Sequence, residues 1–151
     1  KEETIENGKK IEKEVIKNFD VYEMRGDSNS TKLFEFMADN TSVEWGHMKF
    51  GVEGNKGYNV LTTSHEKGAE YGAVDMFNKQ YRFGYYMREH THSHPGNTPA
   101  PSGLTDKSKG SDMIFARKLQ DRLPHVNLNI YVPKTNNYIP YSKYSTINDF
   151  E

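Results

Sequence analysis

Residues 81–95 have the sequence YRFGYYMREHTHSHP, which joins a strong strand pattern to the densest group of histidines in the chain. Aromatic residues alternate along Tyr81 to Glu89, and this predicts a β-strand, because successive side chains of a strand point to opposite faces. The same alternation places the imidazoles of His92 and His94 on one side. Two imidazoles in this arrangement can bind one metal ion, so the end of this strand is the first candidate site.

The remaining patterns predict an α+β fold with a mixed or mostly antiparallel sheet. Apolar spacing predicts three helices: an amphipathic one over 2–17, one capped by Ser30 that ends at Asp39, and one from Ser111 to Leu123. Strands are predicted at 21–24, 43–50, 58–63, 126–133 and 138–141. Hairpin turns are predicted at Gly54–Gly57 and at Asn136-Asn137. The proline-rich stretch 95–103 predicts no regular structure.

The composition indicates one globular domain with a real hydrophobic core. The chain has 151 residues, which is long enough for such a core. Its mean hydropathy is low, at −0.92, but ten tyrosines and eight phenylalanines argue against disorder. We expect residues 1–29 to form an N-terminal helix and linker, and residues 30–151 to form the globular domain.

Charge and residue content exclude several classes of function. The net charge is −1 and no basic stripe is visible, which argues against a nucleic-acid partner. No apolar run approaches the roughly 20 residues of a membrane span. The chain has no cysteine, so a thiol nucleophile, a cysteine zinc ligand and an iron–sulfur cluster are excluded. It begins with Lys1, and we expect it to be part of a longer polypeptide.

The histidines belong to a longer motif. His92-Ser93-His94-Pro95, a loop, Pro101-Ser102 and then Asp106 together resemble the signature of the JAB/MPN+ (JAMM) metalloproteases, which is His-x-His-Pro, a short loop and Ser-x-x-Asp. That family also carries an upstream glutamate in a segment close to Glu-x-x-Gly. Residues 43–51, with the sequence VEWGHMKFG, resemble this segment and contain Glu44.

The resemblance implies a fold, a cofactor and a role for each residue. The implied fold is the cytidine-deaminase-like JAB/MPN fold, a mixed β-sheet flanked by helices. His92, His94 and Asp106 would bind Zn²⁺, Glu44 would be the general base, and Ser102 would stabilise the oxyanion or orient the attacking water. The implied activity is that of a zinc-dependent amide hydrolase, a peptidase or isopeptidase.

The spacing of the motif and three residues near it leave alternatives open. The spacing from Ser102 to Asp106 is one residue longer than the family pattern, and Asp112 is the alternative carboxylate. His90 shares the alternation of the ligands, and it is a group that supports them, a histidine without a role at the site, or a further ligand. For His47 we expect exposure to solvent or packing beside Trp45.

Within the superfamily, the chain is most similar to the JAB-like toxin domains of bacterial polymorphic toxins. This resemblance implies the terminal domain of a larger secreted or delivered bacterial protein. It also implies a protein or peptide substrate and a cognate immunity protein as partners. Two alternatives remain: a catalytically silent JAB-fold binding module and a metal-dependent nuclease, the latter disfavoured by the near-neutral charge.

Overall fold

The computed structural model describes residues 2–6, 9–13, 20–63, 86–105 and 111–151. Asp106 and residues 81–85, the first part of the strand predicted from Tyr81 to Glu89, lie outside these residues. The elements in chain order are β1 (Glu2–Glu6), β2 (Lys9–Lys13), β3 (Asp20–Arg25), α1 (Asp27–Asn40), β4 (Gly46–Phe50), β5 (Tyr58–Thr63), β6 (Met87–Ser93), α2 (Ser111–Arg122), β7 (Asn127–Val132), β8 (Asn137–Tyr141) and a 3₁₀ helix (Ile147–Phe150).

Six of the described strands form one mixed sheet in the order β3-β5-β4-β6-β7-β8. Each pair of neighbours is antiparallel except β6 and β7, which run parallel. A parallel pair needs a crossover connection, and α2 lies in the chain between β6 and β7. The residues that leave β6 and those that enter α2 therefore belong to one connection, and this connection carries the predicted site.

Consecutive residues of a strand pack on opposite faces of this sheet. Val60 belongs to one apolar cluster and Leu61 to another, and Ile130 and Tyr131 divide in the same way. α1 packs on the Leu61 side through Phe34. The α2 side chains on the Val60 side are buried and apolar: Met113, Ala116 and Leu119. Among the described elements, one helix therefore lies on each face of the sheet, and the predicted α+β fold with a mixed sheet flanked by helices is confirmed.

The start of α1 differs from the prediction. The helix begins at Asp27, and Ser30 is a buried residue of its first turn whose hydroxyl donates to the Gly26 carbonyl at 2.7 Å. Gly26 has a φ of 94°, a conformation that favours glycine, so the chain turns directly before Asp27. The Asp27 carboxylate accepts the Gly54 N–H at 3.0 Å and pairs with Arg88 at 3.1 Å. These long-range bonds, which local spacing does not reveal, fix the helix start.

The predicted helix over residues 2–17 is wrong. β1 and β2 are antiparallel strands of a separate two-stranded sheet, with Glu2 opposite Lys13 and Glu6 opposite Lys9. This register leaves Asn7-Gly8 between the strands, and Asn-Gly is the strongest short-range signal for a hairpin. The apolar spacing fits both structures, and the Asn-Gly pair is the sequence signal that favours a hairpin.

Most of the other elements agree with the sequence. The bounds of β5 are those predicted, and α2 ends one residue before its predicted end. β3 and the first residues of α1 precede residue 30, so the described part of the chain that builds the main sheet begins at Asp20. The division of the chain at residue 30 stays a prediction. Neither described helix has the length and apolar character that crossing a membrane would need.

Candidate metal centre

The two histidines of the motif lie at the carboxyl end of β6. His92 is the penultimate residue of this strand, and it pairs in register with Gly46 of β4 and Ile130 of β7. The His94 N–H donates to the Tyr131 carbonyl at 3.0 Å, so strand-like bonding continues past the end of β6. Both imidazoles are therefore held by backbone bonds to a neighbouring strand.

Three side-chain atoms converge at this end of the sheet. His92 Nε2 and His94 Nε2 are 3.0 Å apart, and each lies 3.3 Å from Asp112 Oδ2. Ligand bonds of about 2.0–2.1 Å at tetrahedral angles put two zinc ligand atoms about 3.3 Å apart. Two imidazoles and one carboxylate at these distances fit a zinc ion with three protein ligands. Within the described residues, this is the group of histidines and acids that is close enough to hold a metal.

The second nitrogen of His94 fixes which tautomer faces this group. His94 Nδ1 lies 2.8 Å from the Thr98 carbonyl oxygen and 3.1 Å from the Thr98 hydroxyl. A carbonyl oxygen only accepts, so Nδ1 carries the proton and Nε2 of the neutral ring presents its lone pair toward Asp112. Metal-binding histidines commonly have such an outer partner. Thr98 therefore orients His94 for ligation, a role that the sequence pattern did not indicate.

Asp112 is brought to the histidines by a pair of bonds to Ser102. The Ser102 N–H donates to Asp112 Oδ2 at 2.9 Å, and the Asp112 N–H donates to the Ser102 hydroxyl at 3.1 Å. The Met113 N–H also donates to the Ser102 carbonyl at 3.1 Å. Ser102 thus binds the otherwise unpaired N–H groups of the first turn of α2 and holds the Asp112 carboxylate at the centre.

Charge at the centre favours an ionised Asp112. Burial by itself raises the pKa of this carboxyl, but its electrostatic interaction with His92 and its polar contacts with His92, His94 and the Ser102 N–H lower it far below its usual range. The carboxyl is therefore anionic at neutral pH, as a metal ligand must be.

Glu44 lies at the same cavity as the predicted ligands. It precedes β4 instead of lying on it, and its side chain is only 6% exposed. The cavity has a volume of about 460 Å³, and its lining includes Glu44, His94, Ser102 and Asp112. The Glu44 carbonyl accepts the Thr63 hydroxyl at 2.7 Å, which ties the segment to β5. Residues distant in sequence are therefore gathered around one space.

The ring of His90 packs against His92, one of the candidate metal ligands. Its ring is stacked on His92 with centroids 5.8 Å apart and meets Phe115 edge-on at 5.2 Å. Both of its ring nitrogens are buried without a hydrogen-bond partner in the described part of the chain. Burial, and next the nearby His92, lower the pKa of His90 to about 3, so the ring is neutral. His90 is not in the group that can hold a metal. Its neutral ring packs against His92 and Phe115.

Of the two expectations for His47, exposure to solvent was wrong. Its side chain is buried at 2% exposure, where the ring packs against Phe34 and Nε2 lies 2.7 Å from Asn59 Oδ1. Phe34 comes from α1 and Asn59 from β5, so the surroundings of His47 are assembled by tertiary structure.

The structure brings together four of the five residues that the resemblance implied. His94, Ser102 and Glu44 line one cavity, and His92 contacts His94 and Asp112 beside it. Asp106 lies outside the described residues, so its role as a ligand stays a prediction. The described carboxylate beside the histidines is the alternative, Asp112. The feature of the sequence that could have indicated Asp112 as a ligand is its position in the first turn of a predicted helix, which follows the loop that contains Ser102.

Comparison with known proteins agrees with this geometry. None of the curated proteins matches the chain. The family model of JAB-like toxin 1 matches residues 22–117, which is well over half of the chain and includes the glutamate segment, the histidine motif, Ser102 and Asp112. The chain therefore belongs to the JAB-like toxin 1 family.

Proposed function

We propose that the chain is a zinc-dependent amide hydrolase, a peptidase or isopeptidase that serves as a toxin domain. The observation that carries this proposal is the convergence of His92 Nε2, His94 Nε2 and Asp112 Oδ2 within 3.3 Å of one another. Their cavity also contains a buried carboxylate, Glu44, and a hydroxyl, Ser102. Membership in a JAB-like toxin family supports the same chemistry.

His92, His94 and Asp112 would hold the zinc ion. Three protein ligands leave the fourth tetrahedral position open, which is typical of a catalytic zinc site. When bound, zinc lowers the pKa of a coordinated water to about 7 and polarises the substrate carbonyl.

Glu44 and Ser102 supply the remaining groups that amide hydrolysis needs. Glu44 accepts a proton from the attacking water as the C–O bond forms, and it delivers a proton to the nitrogen as the C–N bond breaks. The Ser102 hydroxyl accepts the Asp112 N–H at 3.1 Å, which leaves its own proton available for the oxyanion. The products are a carboxylic acid and an amine, and no covalent enzyme intermediate forms.

The test compares the wild type with Glu44→Gln, both loaded with zinc. Each protein is incubated with a mixture of bacterial peptides, and new termini are counted by mass spectrometry. We expect cleavage by the wild type and a loss of about 10²-fold or more in the variant, with an unchanged zinc content. Near-normal cleavage by Glu44→Gln would show that the general base is misassigned.

The same preparation separates the alternatives. Stoichiometric zinc without any cleavage would favour the catalytically silent JAB-fold binding module. Cutting of plasmid DNA or RNA, with peptides left intact, would favour the nuclease.

We also propose that this domain is delivered as part of a larger bacterial toxin and is neutralised in the producing cell by an immunity protein. Its family membership supports this proposal. Expression of the wild-type domain inside bacteria is expected to stop growth, whereas expression of Glu44→Gln at the same level is not. Equal growth with both would argue against an intracellular target for the activity.

A further inference from the structure

A second cleft adjoins the candidate metal centre. It has a volume of about 450 Å³ and is lined by Gly103, Leu104, Met113, Arg117 and residues 143–147. The cavity of the metal centre is lined by Ser102 and Asp112, the residues directly before Gly103 and Met113. Neighbouring residues of the same loop and of the same first turn of α2 therefore line the two spaces, which places the second cleft beside the centre.

The position of Arg117 sets the distance between the two spaces. Arg117 follows Asp112 by five residues on α2, which corresponds to a rise of about 7.5 Å along the helix axis and a rotation of about 140° beyond one full turn. An extended peptide advances about 3.3 Å per residue. Because the two side chains diverge, a group bound by Arg117 would lie two or more residues from a carbonyl bound at the centre.

The charges of the cleft are unbalanced. Its described lining contains two cations, Arg117 and Lys143, and no acidic residue. Lys143 Nζ lies 2.7 Å from Asp121, so its charge already has a partner. The nearby Asp149 carboxylate accepts the Thr146 N–H at 2.8 Å. No described residue forms a hydrogen bond or an ion pair with the Arg117 guanidinium.

The walls around this guanidinium are mainly apolar. Met113 is buried, Leu104 is half-buried, and the rings and alkyl groups of Tyr144 and Ile147 are exposed at the rim. A guanidinium binds a carboxylate through two parallel hydrogen bonds, and this pairing strengthens where water is partly excluded. The cleft therefore fits a carboxylate on a short aliphatic stem.

We propose that this cleft is a substrate subsite in which Arg117 binds a carboxylate two or more residues from the scissile amide. The carboxylate comes either from an aspartate or glutamate side chain or from the free carboxyl end of a peptide. This inference rests on the proposed function, because it takes the neighbouring centre to be the place of amide cleavage.

The experiment measures binding instead of cleavage. Zinc-loaded Glu44→Gln protein, labelled with ¹⁵N, is titrated with three peptides and followed by NMR. Acetyl-Gly-Gly-Glu-Gly-amide carries an internal carboxylate, acetyl-tetraglycine carries a terminal one, and acetyl-Gly-Gly-Gln-Gly-amide carries none. We expect at least one carboxylate peptide to shift the amide signals of Gly103, Leu104 and Tyr144, and to bind about tenfold or more tightly than the glutamine peptide.

Two variants in the same background identify the residue responsible. Arg117→Gln is expected to remove the difference between the carboxylate and glutamine peptides. Lys118→Gln, which removes an exposed cation from the next position of α2, is expected to keep it. Equal binding of all three peptides, or a difference that survives in Arg117→Gln, would overturn the subsite. Equally effective displacement by inorganic phosphate would overturn it too, since the cleft would then be a general anion site.

Failure of the subsite and failure of the proposed function are distinguishable. Binding in the inactive background decides the subsite, and it requires no turnover. Cleavage of the peptide mixture by the wild type decides the function. If cleavage is found, its sites in wild-type digests are expected to be enriched for a carboxylate at one position two or more residues away, and Arg117→Gln is expected to lose this enrichment.

Discussion

Ser93 and Trp45 are joined by two hydrogen bonds across β6 and the start of β4. The Ser93 hydroxyl accepts the Trp45 N–H at 2.9 Å, and the Ser93 N–H donates to the Trp45 carbonyl at 2.8 Å. Ser93 lies between His92 and His94, and Trp45 directly follows Glu44. The two bonds therefore hold the segment of the proposed general base against the strand of the proposed ligands.

Replacement of Ser93 by alanine is expected to weaken both stability and catalysis. The variant leaves the buried Trp45 N–H without its acceptor, which costs about 1–3 kcal/mol in the free energy of unfolding. A small displacement of Glu44 is expected to lower kcat by about tenfold or more, because proton transfer depends on position. Urea unfolding measures the first effect and single-turnover peptide cleavage the second, while the zinc content is expected to stay near one per chain.

Thr91→Ala is the matched control for this variant. Thr91 is buried on the same face of β6, but its hydroxyl approaches Glu89 at 3.4 Å and is not bonded to the Glu44 segment. It is expected to keep the kcat of the wild type. An equal loss of kcat in both variants would indicate a general disturbance of β6 and argue against a specific role for Ser93.

The zinc ligands are tested by metal content. Mass spectrometry of the zinc-reconstituted wild type is expected to give about one zinc per chain, and His94→Ala and Asp112→Ala are each expected to lose it, because two remaining ligands bind weakly. The three ligand atoms in the structure are the reason for choosing Asp112.

Asp106→Ala decides between the two carboxylates that the sequence offered. If Asp112 is the ligand, Asp106→Ala keeps its zinc. Loss of zinc from Asp106→Ala together with retention in Asp112→Ala would instead establish the carboxylate that the motif spacing favours.

The sequence predicted the two histidines of this site better than the carboxylate that completes it. His92 and His94 follow from strand alternation over three residues, and the resemblance supplied Glu44 and Ser102. The choice of carboxylate depends on how the chain returns to the histidines after Ser102. The structure makes this return through bonds between Ser102 and Asp112, ten residues apart, and no local pattern contains that information.

The same distinction explains the errors in the fold. β5 and α2 were predicted closely because their patterns are regular and are bounded by turn residues or proline. The burial of His47 depends on Asn59 and Phe34, which reach it from other elements. The bonds of Asp27 to Arg88 likewise join distant segments. Periodicity within one segment cannot reveal these partners.

Gly57→Ala is expected to destabilise the fold through Asp27. A Cβ at position 57 would lie 2.0 Å from Asp27 Oδ1, and this carboxylate is held by Arg88, Asn59 and Gly54, so it cannot move without losing those bonds. We expect a loss of about 1–3 kcal/mol in the free energy of unfolding, measured with urea.

Gly96→Ala provides the control for the added methyl group. A Cβ at Gly96 meets nothing within 4 Å, and its backbone is not in the left-handed region. Its free energy of unfolding is expected to stay within about 0.5 kcal/mol of the wild type. A stable Gly57→Ala protein would mean that the Asp27 bonds contribute little to the fold.

His47 is expected to make the metal-free protein sensitive to mild acid. Burial lowers the pKa of His47 to about 4, against an ordinary value of 6.5, although the hydrogen bond with Asn59 partly opposes this. As the pH falls below about 6.5, the unfolded chain takes up a proton at this residue that the folded chain does not. Stability is therefore complete above this pH and declines until about pH 4, where the folded state is protonated too.

The expected loss follows from the difference between the two pKa values. The two pKa values differ by about 2.5, and each pKa unit corresponds to about 1.4 kcal/mol, so the loss is at most about 3–4 kcal/mol. The measurement compares the urea midpoints of the wild type and His47→Gln at about pH 7.5 and about pH 4.5, with chelator present so that zinc release does not contribute. The variant has no titrating group at this position, so its stability is expected to fall less between the two pH values. If both proteins lost the same stability between the two pH values, the acid sensitivity would come from other residues. A buried neutral His47 requires the wild type to lose more stability than the variant.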